Sequence, residues 1–432
     1  MNSFLRILFC GNGTFKNILF GALYIFTFSY VWKYYCVTVW HAYFYFDVPH
    51  SFFYDFIGYS IALIPIVFYR GIRNVSSWLS LILYYFGYVP IVLSLLFNFK
   101  EDNNYHVIEY WMVLCITMSL YFYSDRIKIK IKHPRRKISI KIIWIFALIT
   151  LVMQLAIYHN NMRIVDFTSV YQLRAENAEI GNAFMGYINS WSASYIFPLI
   201  FVYGLFRKDK RFILFGALSF LFLYSIFGAK ADFLAPIILF SFYKFFLWQD
   251  KMNINLLSIL SISLGLISLF LLCNLENELV YVLAAVFLMR TITIGGCLFS
   301  GYYLPFFQDN PHTYFSHVNI INAITNSNPY AGQPIGKVVT EGGMNANAIF
   351  WAMDGVTAMG VAGVAIVSFL FLLFLILINS LATAENRNFL CILFLIPMVA
   401  LLNTSFFSFL LSEGVILIIL TILFVNLKYD KN

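Results

Sequence analysis

The sequence predicts an all-α integral membrane protein of about twelve transmembrane helices with a large extracytoplasmic loop late in the chain. Three observations carry that expectation. The 432 residues are 61% hydrophobic and only 11% charged, whereas a soluble domain averages about a quarter charged residues. Apolar runs of the roughly 20 residues needed to cross a bilayer recur along the chain. Residues 274–356, by contrast, concentrate the turn residues, amides and charges that the rest lacks.

The elements follow in order. Arg6 and Lys16 precede an apolar run from Asn17 to Trp32 that has no small-x-small cleavage site, which reads as a retained signal anchor. The predicted spans are 17–39, 53–69, 76–97, 105–124, 141–159, 188–206, 212–228, 233–248, 256–273, 357–379, 388–404 and 408–427. They divide the chain into an N-terminal bundle, 1–273, an outer segment, 274–356, and a C-terminal bundle, 357–432. Inside the outer segment, 279–289 (LVYVLAAVFLM) is apolar but too short to cross and reads as an interfacial or re-entrant helix. Residues 325–347 are dense in Gly, Asn and Pro and read as irregular backbone.

Charge sets the expected orientation. Eight of the 28 Lys and Arg fall between Arg126 and Lys141, a cytoplasmic loop by the positive-inside rule. Its natural partner is anionic membrane lipid, not nucleic acid. With both termini cytoplasmic, 21 cations lie inside and 7 outside. The six cysteines are scattered singly, with no CxxC and no Cys/His spacing for a metal, so no metal and no cofactor is expected.

The scarce outward cations are the first candidates for chemistry, because a cation at the membrane edge is costly without an anionic partner. Arg174, Lys230 and Arg290 are read as contacts for a lipid-linked diphosphate, and Lys337 as a solvated loop residue. Asp232, two residues from Lys230, offers a local ion pair as the alternative. No DxD or paired acid suggests Mg²⁺, so the cations would stabilise the leaving diphosphate directly. For a general base the candidates are Glu341, which has no helix to cap, His312, and Asp354, which also suits a helix start. Tyr314 beside His312 suits packing on a sugar ring.

These residues resemble those of the Wzy-type O-antigen and capsular repeat-unit polymerases. The resemblance rests on Arg290 followed by Gly301, the run YYLPFFQDNPHTYFS at 302–316, NANAIFWAMDGVTAMGVAG at 345–363, and GAK at 228–230. It implies a multi-span glycosyltransferase similar to the lipid-phosphate-dependent (GT-C-like) enzymes, placed in the bacterial inner membrane. It implies an undecaprenyl-diphosphate-linked oligosaccharide as substrate, a chain-length regulator as possible partner, and Asn345 and Asn347 as substrate contacts. A growing glycan would pass to the non-reducing end of a new repeat unit as undecaprenyl diphosphate leaves. The alternatives are a flippase for the same lipid, which predicts symmetric halves, and an O-antigen ligase-type transferase, which shares the architecture.

Overall fold

A computed structural model describes residues 10–427 apart from 12, 42–47, 102–105, 132–136 and 166–168. The middle of the basic run and both termini, on which the orientation partly rests, therefore lie outside the described residues. Among the described residues the chain is mostly helical, and the two β-bridges are isolated. Among the described residues nine helices are long and apolar enough to cross a membrane, which makes this an all-α protein of the multi-pass membrane class.

Eight of the nine coincide with predicted spans. The ninth corrects an expectation: the run at 279–289 is the start of a helix that continues from Glu278 to Asp309, 32 residues in all. The sequence argument stopped it at Arg290, but one exposed arginine and three glycines do not end a helix whose far half is packed. The span expected at 357–379 likewise begins earlier, at Trp351. Four other predicted spans are helical without meeting the same standard. Residues 14–39 and 183–207 are each helical throughout, with a π-helical turn inside. Phe52–Phe68 is a shorter apolar helix. The 388–404 region is two seven-residue helices, Arg387–Leu393 and Leu395–Leu401.

The chain divides into two compact units. The first comprises 1–129, 252–379 and 401–406; the second comprises 130–251, 380–400 and 407–432. In the first, the Thr14–Val31 and Leu256–Cys273 helices run in the same direction. Asn17 meets Asn255 at one end (3.0 Å), and Ser261 donates to the Phe20 carbonyl (2.7 Å) further along. The Val75–Asn98 helix and the 107–126 helix run opposite to each other beside the Trp351–Leu381 helix. At one end Asn379 ties all three: its Oδ1 accepts from Ser76 N (3.0 Å), and its Nδ2 donates to Ser76 Oγ (2.7 Å) and the Ser124 carbonyl (2.9 Å). In lipid the hydrophobic effect does little to join helices, so hydrogen bonds and close packing carry more of the association.

At the other end of the same helices Asn98 donates to Ser300 Oγ (2.6 Å), and Tyr110 packs edge-on against Phe299. The far half of the Glu278–Asp309 helix and the stretch after it therefore gather at the end opposite Asn379. π-Helical turns at Phe299–Tyr303 and Trp351–Val356 meet there. Such turns are rare and recur at functional sites.

In the second unit the short Val170–Ile180 helix sits on the end of the Lys210–Phe227 helix. Asn177 Nδ2 donates to the Ile226 carbonyl (2.6 Å) and Arg174 Nε to the Phe227 carbonyl (2.9 Å). Both carbonyls are among those a helix end leaves unpaired. Further on, Trp191 Nε1 donates to the Leu411 carbonyl (2.8 Å), and Arg387 and Asn388 both reach Asp250.

Candidate functional site

A cavity of about 500 Å³ opens at the Asn98–Ser300 end of the first unit. Three stretches of chain build it. The start of the 107–126 helix supplies His106, Glu109 and Tyr110; the end of the Glu278–Asp309 helix supplies Phe307 and Gln308; His312 and the chain around Gly360 close it.

The Gly360 wall depends on a break in the helix. The passage Trp351–Leu381 is helical except at Met359 (φ −155°, ψ 27°) and Gly360 (φ 58°, ψ −132°), where the chain kinks. Gly360 takes a left-handed φ that side chains rarely adopt. The kink folds the two helical halves together so closely that a β-carbon on Gly363 would stand 2.1 Å from the Gly355 carbonyl oxygen. Gly360 and Gly363, which end the passage NANAIFWAMDGVTAMGVAG, thus encode a sharp turn.

That kink anchors the loop bearing His312. Thr313 N donates to the Thr357 carbonyl (2.9 Å) and Tyr314 N to the Ala358 carbonyl (3.0 Å). Tyr314 and Phe315 both hold a positive φ, a strain of about 1–3 kcal/mol each that surrounding bonds must offset. His317 clamps the loop from beneath: its Nδ1 meets Thr313 Oγ1 (2.7 Å) and its Nε2 meets Asp354 Oδ1 (3.2 Å). Asp354 is fully buried, and its other oxygen accepts from Phe406 N. Its carboxylate thus serves His317 and a distant backbone N–H instead of capping its own helix.

His312 is placed differently. Its ring stacks on Phe307, centroids 5.7 Å apart and planes 11° apart. Its Nδ1 is buried with no hydrogen-bond partner among the described residues. A β-carbon on Gly360 would lie 3.7 Å from His312 Nε2 and 3.4 Å from the Tyr110 hydroxyl, so the three groups converge on one wall. At the mouth His106 Nδ1 meets Glu109 Oε1 at 2.9 Å, both side chains more than half exposed. Tyr330, packed near Phe306 and Phe307, donates to the Pro311 carbonyl (2.6 Å). Burial raises its phenol above the usual value.

Of the residues singled out in the sequence, His312 alone lines the cavity. Asp354 stands behind it through His317. Glu341 is exposed, in a turn where it holds a positive φ. Tyr314 is 70% exposed. Asn345 and Asn347 are exposed, with Asn345 Oδ1 crowding Gly336. Arg290 is exposed in the π-helical stretch Ala285–Thr293, and Lys337 is exposed on the short Ile335–Val338 helix. Arg174 and Lys230 belong to the second unit, both exposed. Lys230 begins the Lys230–Met252 helix, and Asp232 lies within electrostatic reach of Arg174 and of Glu413, which accepts a hydrogen bond from Ser194.

Sequence reasoning passed over Glu109, Tyr110 and His106. Their signal was available as an acid and an imidazole three residues apart at the first turn of a span. Among the described residues, no group of three or more His, Cys, Asp or Glu side chains gathers to hold a metal. No family model, curated protein or solved structure matches the chain.

Proposed function

We propose that this protein polymerises undecaprenyl-diphosphate-linked oligosaccharide repeat units into surface polysaccharide at the outer face of the bacterial inner membrane. The observation that carries the reading is the cavity itself, a pocket of ligand size at one end of a membrane helix bundle. It combines an imidazole, a phenol, an amide and a carboxylate with stacked aromatic rings. In this reading the twelve predicted spans cross and the Glu278–Asp309 helix stays on the outer side, as in a GT-C-like enzyme with both termini cytoplasmic.

His312 is the general base. It takes the proton from the acceptor hydroxyl as that oxygen attacks the anomeric carbon, the glycosidic bond forms, and the bond to the diphosphate breaks with the electron pair leaving on the diphosphate oxygen. Asp354 and His317 are positioning residues that hold the loop. Arg290, in the same unit, is the contact proposed for the diphosphate, and Glu341 remains the rival base.

The test is glycan length in cells. A positioned base contributes about 10²–10⁴ in rate. His312→Gln is expected to leave the protein in the membrane at wild-type abundance while single repeat units replace long chains. Glu341→Gln should retain long chains. The reverse pattern transfers the role to Glu341, and long chains in both variants overturn the base assignment. Lipid-linked polymer accumulating in the His312→Gln strain would instead identify a ligase.

A further inference from the structure

We propose that the His312 cavity takes a neutral pyranose ring and disfavours one that bears a carboxylate. The inference deepens the polymerase reading, and rests on it, by naming the class of sugar at the acceptor end. Sugars present an apolar face and a rim of hydroxyls. The half-buried His312 ring, backed by the buried Phe307, offers an apolar surface to the first. The Tyr110 hydroxyl, Gln308 and Glu109 offer donors and acceptors to the second.

The charge of the lining sets the preference. Glu109 is its one acid, and no Lys or Arg is among the described residues that line it. A ring carboxylate entering there would meet the Glu109 carboxylate with no fixed cation in the wall to offset it. Arg is the usual recognition group for carboxylates, through its bidentate fork, and the lining has none. The Glu109 side chain is 58% exposed at the mouth, so water screens it and the discrimination is modest. Exposed charge pairs correspond to about two- to fivefold in affinity.

The test uses the full-length protein in nanodiscs at neutral pH and low salt. A methyl glucopyranoside and the corresponding methyl glucuronide are titrated by saturation-transfer NMR, and the readout is the ratio of their affinities. The wild type is expected to favour the neutral sugar by about two- to fivefold. Glu109→Gln, which keeps the hydrogen-bonding shape, should bring the ratio close to one whatever it does to overall affinity. His312→Ala should weaken both sugars and leave the ratio intact. The proposal is overturned if the wild type binds the uronate as well as the neutral sugar, if Glu109→Gln leaves the ratio unchanged, or if neither sugar binds. The polymerase reading fails by a separate sign, lipid-linked polymer accumulating in a His312→Gln strain, which leaves the binding ratio standing.

Discussion

Asn379 and His312 occupy opposite ends of the first unit and use their polar atoms in opposite ways. Asn379 is fully buried, and its amide makes three hydrogen bonds that tie three helices together. His312 keeps one ring nitrogen buried without a partner and turns the other edge towards Gly360 and Tyr110. Leaving a buried polar group unpaired costs about 1–3 kcal/mol. Asn379 avoids that cost, and His312 sustains it. The contrast teaches that the same helices can be locked at one end and left receptive at the other. The receptive end then needs a separate device to keep its shape, and the Asp354–His317 clamp is that device.

Removing the clamp should have the largest effect on the fold. Breaking a buried charged or hydrogen-bonded pair by deleting one partner costs about 3–5 kcal/mol. Asp354→Ala strands both His317 and Phe406 N, so the detergent-solubilised protein should melt well below wild type. A melting point within a degree of wild type would mean that the clamp does not hold the loop.

The next prediction asks whether chemistry at the open end depends on charge outside the cavity. Losing a donor to a developing anion costs about 10²–10³ in rate. Arg290→Ala is expected to shorten surface glycan to single units at normal protein abundance. Arg290→Lys should recover it only in part, because the bidentate fork is lost. Wild-type chain lengths in Arg290→Ala would remove Arg290 from the diphosphate contacts. The same assay on Arg174→Ala and Lys230→Ala judges each of them on its own.

Asn379→Ala probes the sealed end. Hydrogen bonds between membrane helices average about 0.6 kcal/mol and reach about 1.7, so three average ones predict a loss of about 2 kcal/mol. Glycan length at permissive temperature should be unchanged, since nothing at the cavity moves. If glycan shortens while stability holds, the two ends are coupled and the comparison breaks.

The smallest effect concerns pH at the open end. The Ser51 side chain, and after it Ser51 N, hydrogen-bond Glu101 and hold its carboxyl below the usual carboxylate range. A depressed folded-state pKa adds stability above the unfolded value, about 4.3 for Glu, and that stability is lost as pH falls through the folded value. Ser51 also caps the Phe52–Leu63 helix through Tyr54 N (3.2 Å). The hydrogen-exchange protection at the start of that helix, relative to the intrinsic rate at each pH, should therefore fall as the pH is lowered through this range. Glu101→Gln should remove the pH dependence; if the dependence persists, the cause lies elsewhere.

Much of the fold was legible because spans are a matter of local composition. The Val75–Asn98 and Leu256–Cys273 helices follow from apolar length alone. The reading faltered where packing overrides composition. Residues 290–309 hold an arginine, three glycines and a proline, yet they stay helical because the glycines let the helix approach its neighbour: Gly296 lies so near the Pro90 carbonyl that a β-carbon would stand 2.2 Å from its oxygen. Of the site, His312 and Asp354 were visible as unusual polar residues in an apolar chain. Their division of labour was not, because it depends on which atoms each one meets.

The sequence by itself determined that this is an all-α protein of the membrane class. It also determined that its rare charged and turn-forming residues concentrate in a few stretches, since the burial of apolar surface and the pairing of backbone groups are nearly additive along a helix. Only the tertiary structure decided that His312 and not Glu341 shares a cavity with Tyr110, Glu109 and Phe307, and that Asp354 serves a clamp. Those outcomes depend on contacts between segments far apart in the chain, and no local property of either segment specifies its partner.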